Sequence, residues 1–272
     1  MNPDSSVAKL AGFRDYFSRH PSFRHREGLF HQSGIAYEAF EREYTALRTS
    51  EGRLLPDAIV KDLPHVPRQH PLRKEWLVRK RSAEALARYM KKTSPARVLE
   101  IGCGNGWLIN FLAGQVEADY CGVDVNEIEL KQAVRLFSTQ DRITFVYGDI
   151  TSSAFDECKT DVIVCASVIQ YFPDLPSLLD RLKGMLCANG EIHIIDSPLY
   201  REGDAAAAKA RSVDHFWKTG QPDMASYYHH HTWKSLKNDH YDVLHHPNSL
   251  SGRIKKWLGY SPFPWVVVRL EE

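Results

Sequence analysis

From about residue 94 onward, short apolar runs alternate with amphipathic stretches of ten to sixteen residues. This is the rhythm of a parallel sheet joined by crossover helices and covered on both faces. The apolar runs predict strands near 96–101, 118–123, 142–147, 161–166 and 190–195. Between them, Asn126 to Ser138 reads as one connecting helix with Ile128, Ala133, Leu136 and Phe137 inward. Leu175 to Leu186 reads as another, with Asn189-Gly190 as its stop. Near the end, Tyr241–Leu244 and Trp265–Leu270 predict two further strands joined by a loop rich in Pro and Gly.

The first 93 residues have a different rhythm and read as helices and loops outside that sheet. Tyr37, Phe40, Tyr44 and Leu47 recur at spacings of three, four and three and so share one helix face. Pro56, Pro64, Pro67 and Pro71 then interrupt any regular element. A second helix is predicted from Leu72 to Lys92, with Trp76, Ala83, Leu86 and Met90 on one side. The chain therefore divides into a helical extension or cap over 1–93 and an α/β domain over 94–272. The extension either packs over a ligand site or simply completes the core.

The run Val98-Leu99-Glu100-Ile101-Gly102-Cys103-Gly104-Asn105-Gly106-Trp107 reads as a buried strand, a glycine turn and a helix start. Glycines at alternate positions let a ligand sit against bare main chain. A dinucleotide fingerprint needs G-x-G-x-x-G, but here Gly106 comes one residue early and Trp107 stands in the expected place. Glu100, two residues before the first glycine, suits a cationic ligand better than a pyrophosphate.

This run resembles motif I of the class I S-adenosylmethionine-dependent methyltransferases, and later segments fit the same family in order. Tyr120-Cys121-Gly122-Val123-Asp124 ends a strand with a carboxylate 18 residues after Gly106, and the resemblance implies that Asp124 holds the ribose hydroxyls. Ile143 to Ile150 ends in Gly-Asp, so Asp149 would accept from the adenine amino group while Ile150 covers the ring. Asp161 to Ser167 resembles the fourth strand and Gly190 to Asp196 the fifth. The implied cofactor set is Glu100, Gly102, Cys103, Gly104, Gly106, Asp124, Val125, Asp149, Ile150, Ala166 and Ser167, with S-adenosyl-L-methionine as cofactor. The implied fold is a Rossmann-like, seven-stranded, mostly parallel sheet with helices on both faces. Read without the family, Asp124 and Asp149 are solvated strand ends and Gly102 a turn residue.

In that family the protein's main task is in-line alignment of a nucleophile, and a base is needed only where the acceptor is protonated. Cys165-Ala166-Ser167-Val168 lacks the Asn/Asp-Pro-Pro-aromatic motif of enzymes that methylate exocyclic amines of nucleic acids, and Cys165 does not follow a proline as in cytosine C5 enzymes. Asp161 stands at the start of its strand rather than at the carboxyl end, so no catalytic metal is predicted. Tyr171 and Asp196 fall just past the fourth and fifth strands and are candidates to orient an acceptor hydroxyl and to take its proton. The alternative for Tyr171 is packing at a helix start. Three consecutive histidines, His229, His230 and His231, stand before Thr232, a candidate helix cap. One of them is expected to line the pocket, with His229 and His230 the catalytic candidates. Adjacent histidines do not share a helix face, so zinc is not expected.

Composition narrows the partners. The 272 residues are 43% apolar with a formal charge of +1, so no global field recruits nucleic acid or an anionic membrane. Five cysteines without a C-x-x-C pair point to reduced structural thiols. Met1-Asn2-Pro3-Asp4-Ser5-Ser6 lacks a basic start and apolar core, and no apolar run approaches a membrane span. A cytoplasmic protein is expected, with no membrane partner, nucleic acid not the expected partner, and oligomeric state unassigned.

Locally, Lys61 to Ser82 holds seven basic side chains against two acidic, read either as a solvated helix face or as a site for an anion. In the second case Arg79 or Arg81 would hold the cofactor's carboxylate. The leading function is methyl transfer to a small molecule, at oxygen or nitrogen. The alternatives are an RNA or protein methyltransferase docking through 61–81, or a non-catalytic binding module.

Overall fold

The central strands of the sheet carry apolar residues at nearly every position because both of its faces are covered there. The computed structural model describes residues 12–250, 252–253 and 259–270. Met1–Ser6 and part of the loop between the last two strands lie outside the described residues. The strands are β1 (Phe23–Arg26), β2 (Leu29–Gln32), β3 (Arg97–Ile101), β4 (Asp119–Asp124), β5 (Ile143–Tyr147), β6 (Thr160–Ala166), β7 (Leu186–Ile195), β8 (His240–His245) and β9 (Trp265–Arg269). The helices are α1 (Phe13–Arg19), α2 (Glu38–Ser50), α3 (Asp57–Val60), α4 (Arg73–Thr93), α5 (Trp107–Ala113), α6 (Glu127–Phe137), α7 (Leu175–Met185) and α8 (Glu202–Lys218).

One sheet runs in the order β1-β2-β5-β4-β3-β6-β7-β9-β8. Strands β2 to β7 run parallel to one another, while β1 is antiparallel to β2 and β9 is antiparallel to both β7 and β8. The order reverses between β3 and β6, where an open α/β sheet places its ligand crevice beyond the carboxyl ends of the strands. Alternate residues of β3 feed opposite layers. Leu99 and Ile101 pack with α1 and α7 residues, and Val98 packs with those of α4, α5 and α6. Glu100 leaves the sheet on the Val98 side.

Two side chains set the crossover helices. Asn126 accepts the N–H of Glu129 at 3.0 Å and Asp174 that of Ser177 at 3.2 Å, each cap worth about 1 kcal/mol. In α6 the buried stripe is Leu130, Ala133, Val134 and Phe137 with Glu129 beside it, whereas Ile128 is 54% exposed. The expectation that Ile128 points inward is corrected: the cap at Asn126 sets a stripe that begins at Leu130. Asn189-Gly190 does not end α7, which stops at Met185; Asn189, at φ 62°, lies inside β7.

The sheet has nine strands where seven were expected, because the N-terminal part supplies a hairpin. Its two-residue loop, Glu27-Gly28, has φ 50° and 82°, the geometry of a tight hairpin turn that Asn-Gly more often signals. Leu29 and Phe30 are buried, and β2 extends the sheet by pairing with β5. The reading of 1–93 as free of strands is thus corrected. The exposed edge strand carries Arg24, His25 and Arg26, charges that discourage further pairing. No helix among the described residues is long and apolar enough to cross a membrane.

Candidate functional site

The turn from β3 into α5 has Gly102, Gly104 and Gly106 at φ 67°, 50° and 72°. A Cβ on Gly102 would stand 2.3 Å from Val168 Cγ2, so this turn packs against the segment after β6 in a way only glycine allows. Beyond the turn lies a cavity of about 620 Å³, roofed by α2, α4 and α8. Of the sequence-derived site residues, Glu100, Gly102, Cys103, Gly104, Ala166, Ser167, Tyr171 and Asp196 line it.

Glu100 is 3% exposed; its carboxylate accepts the N–H of Ile109, and Oε2 has no partner. Burial, and then the nearby charge of Asp124, push its carboxyl well above the usual range. Eight buried side-chain atoms among the described residues lack a hydrogen bond, and five belong to this cavity: Glu100 Oε2, Asn105 Oδ1, Gln170 Oε1, Trp76 Nε1 and Arg48 Nε. Orphan polar atoms concentrated on one cavity mark a place built for a polar ligand.

Asp124 lies outside the lining. Its oxygens accept the N–H groups of Gly104 at 2.7 Å and Asn126 at 2.8 Å, which fixes the glycine turn against the end of β4. Asp149 accepts from the Thr151 N–H at 2.8 Å, the Thr151 hydroxyl at 2.7 Å and the Tyr37 hydroxyl. Helix α2 lies over these strand ends. Glu41 Oε1 accepts the N–H groups of Glu127 at 2.6 Å and Ile128 at 3.3 Å, and Thr45 Oγ1 receives Asn126 Nδ2 at 3.3 Å. Gly106, Val125 and Ile150 are also off the cavity wall: Gly106 is packed against Phe145, and Ile150 belongs to the core on the α7 side.

Asp196 sits at the carboxyl end of β7 and accepts from Ser82 Oγ of α4 at 2.8 Å and from Ser261. Burial raises its carboxyl above the usual range, opposed by the Ser261 bond, the charge of Arg79 and the Ser82 bond. Tyr171 stands edge-on to Tyr44 and Tyr228 with ring centroids 5.5 and 5.8 Å away.

The histidine tract is a brace rather than a wall. His231 Nε2 lies 3.0 Å from the carbonyls of both Ile169 and Phe172, and the His229 N–H donates to the Gln170 carbonyl at 2.7 Å. His230 Nε2 is 2.8 Å from Ser212 Oγ. Neither His229 nor His230 lines the cavity; Tyr228, the preceding residue, does, so the expected place of a histidine on the wall is corrected. Thr232 begins only a short 3₁₀ turn and makes no side-chain cap.

Gln170 lines the cavity beside Tyr171, as the segment following the fourth strand was expected to. Sequence reasoning missed Arg48, Glu129 and Arg211, all on the cavity wall. These three sit on helix faces whose partners the pattern does not reveal. Of the basic 61–81 stretch, Arg79 is paired with Glu75 at 3.0 Å inside the cavity and Lys80 lies 3.8 Å from Glu84. Arg81 stacks over Tyr260 at 5.1 Å.

The sequence profile of a methyltransferase domain matches residues 98–190. The chain is similar to the malonyl-[acyl-carrier protein] O-methyltransferase of Halalkalibacterium halodurans, 32% identical over 103 residues, which is 36% of this chain and 38% of that protein. It is similar to the ubiquinone biosynthesis O-methyltransferase of Alkalilimnicola ehrlichii at 29% identity over 108 residues, 39% of this chain and 42% of that protein. The match thus spans about two-fifths of these relatives' length. Among solved structures, geranyl diphosphate C-methyltransferase from Streptomyces coelicolor superposes with a TM-score of 0.57 over 86% of this chain and 99% of that one. At 11% identity the likeness is one of fold.

Proposed function

We propose, from the premise that residues 98–190 form the core of a class I S-adenosylmethionine-dependent methyltransferase domain, that the chain transfers a methyl group to a small-molecule acceptor. The observation that carries this reading is Glu100 Oε2. It is a buried carboxylate oxygen without a partner, on the cavity wall beside the bare backbone of Gly102 and Gly104. A cationic ligand group satisfies it, and the cofactor carries an ammonium as well as a positive sulfur.

The residues fit the cofactor. Glu100 takes the ammonium, and the glycine turn admits the chain against main-chain atoms. Asp124 and Asp149 are the carboxylates for the ribose hydroxyls and the adenine amino group. Each carboxylate already receives three hydrogen bonds and keeps one acceptor site. Bound there, S-adenosylmethionine supplies a methyl group already activated for displacement, so no covalent enzyme intermediate is required.

The chain's own contribution is alignment and proton removal. Tyr171, edge-on between Tyr44 and Tyr228, orients the acceptor. Asp196, held by Ser82 and Ser261, takes the proton that an acceptor hydroxyl loses as its oxygen gains the methyl. A cavity roofed by three helices suits a small ligand better than a polymer, and the pairing of Arg79 and Lys80 within the fold shrinks the basic stretch available for docking RNA.

The test is calorimetric titration with S-adenosylmethionine and S-adenosylhomocysteine, with Asp124→Ala as the control. Micromolar binding abolished by the substitution supports the reading. A folded chain that binds neither overturns it. A labelled-methyl screen of hydroxylated and amino compounds then identifies the acceptor atom.

A further inference from the structure

Part of the cavity wall is formed by α2 and α8. His215 on α8 and Glu51, just past the end of α2, are tied at 2.9 Å, and Leu47 and Phe216 are buried in one cluster. Both helices add arginines to the wall: Arg48 one turn before Glu51, and Arg211 one turn before His215. Two carboxylates in this region are already engaged. Glu51 serves Arg53 at 2.9 Å as well as His215, and Glu75 serves Arg53 and Arg79.

Arg48 and Arg211 are left over. Among the described residues neither makes an ion pair or a side-chain hydrogen bond, and the buried Nε of Arg48 has no partner. Glu129, the carboxylate whose charge acts on Arg48 most strongly, gives it no hydrogen bond. A buried guanidinium edge with no acceptor is costly unless a ligand completes it. Arg211, exposed on α8, lines the same cavity, and a planar guanidinium fork matches the two oxygens of a carboxylate.

We propose that the acceptor substrate carries a carboxylate, held by Arg48 and Arg211, and that its body lies against the rings of Tyr44, Tyr171, Phe216 and Tyr228. This deepens the methyltransferase reading and rests on it for the identity of the ligand as an acceptor. A cationic substrate is the competing choice, since tyrosines surround the space. It fails on two counts: Arg48 already occupies the face of Tyr44, 5.7 Å from the ring centroid, and Glu51 is doubly paired.

The test is calorimetry on the whole chain with four phenols of one skeleton: 4-hydroxybenzoate, 4-hydroxybenzyl alcohol, tyramine and 4-hydroxyphenyl phosphate. Each is titrated with and without saturating S-adenosylhomocysteine. The expected result is 4-hydroxybenzoate binding at least tenfold tighter than the alcohol, with tyramine weakest. Arg48→Gln and Arg211→Gln should each remove most of that preference and leave affinity for the alcohol within twofold. Lys209→Ala, on α8 but off the cavity wall, should retain the preference, which separates a specific site from the general charge of the helix.

Tighter binding of the phosphate keeps the anion site and overturns the carboxylate. Equal affinities, a preference for tyramine, or no binding of any of the four overturns the anion site. Failure of S-adenosylhomocysteine to bind strikes the methyltransferase reading instead, and the titrations without it still read the arginines.

Discussion

Ser167 and Asp196, at the carboxyl ends of the neighbouring strands β6 and β7, are both non-glycine residues in the left-handed region, with φ 56° and 51°. The Ser167 hydroxyl donates to the Asp196 carbonyl at 3.0 Å, and its N–H donates to the Ile195 carbonyl at 3.0 Å. Strained backbone of this kind costs about 1–3 kcal/mol per residue and persists where surrounding bonds over-determine it. Here it turns the Asp196 carboxylate onto the cavity wall.

Asp196→Asn keeps a side chain that tolerates the left-handed region and removes the proton acceptor. We expect kcat for an oxygen acceptor to fall by about 10²–10⁴, with cofactor affinity within twofold and no loss of melting temperature. Ser167→Ala should cost about 1 kcal/mol of stability and lower kcat less than Asp196→Asn, because it acts only through position. Steady-state kinetics with calorimetry and thermal melts separates the two. Unchanged kcat in Asp196→Asn removes it as the base.

Glu100 carries opposite consequences for binding and for folding. Glu100→Gln removes a charge-assisted bond to the cofactor's ammonium, so affinity for S-adenosylhomocysteine should drop roughly ten- to hundredfold. The same change relieves a buried carboxylate, and resistance to urea should hold or rise. Falling stability together with unchanged affinity contradicts the assigned role.

Glu129 gives a pH dependence. Burial, against the opposing charge of Arg48, raises its carboxyl from 4.5 to about 7. Between those values the folded chain binds more protons than the unfolded one, so this group's contribution to stability declines as pH rises through that window. Glu129→Gln should flatten the slope and stabilise the chain at pH 8 by on the order of 2 kcal/mol. Urea unfolding at pH 5 and pH 8 reads the difference, and an unchanged slope refutes it.

Glu191 works in the other direction. Burial alone would raise its carboxyl, but hydrogen bonds from His193 and Tyr89 and the charges of His193 and Arg269 hold it at about 2. Its stabilisation is complete above the ordinary value of 4.5 and is lost as pH falls toward 2. Glu191→Gln should cost on the order of 2 kcal/mol at pH 7 and less than half of that at pH 3. Equal losses at both pH values mean the group acts by packing alone.

Local patterning made much of the sheet legible. Strands β3 to β7, the helix beginning near Asn126 and the paired final strands follow from apolar runs and turn residues that act within a few positions of one another. The hairpin at Glu27-Gly28 escaped because its turn lacks the usual Asn-Gly signal and because β2 is held by pairing with β5, more than a hundred residues away. On the site, Glu100, Gly102, Gly104, Ser167 and Asp196 were legible since a parallel strand's carboxyl end places them by topology.

By itself the sequence determined the alternating α/β architecture and the residues that ride on strand ends, because backbone periodicity dictates both. Only the tertiary structure decided which helix faces close the cavity. It brought Arg48 and Arg211 to one cavity, left Glu100 Oε2 unpartnered, and buried His231 against the loop after β6 rather than on the cavity wall. Those relations depend on contacts between segments far apart in the chain, and no local pattern encodes which polar group is left without a partner when such segments pack.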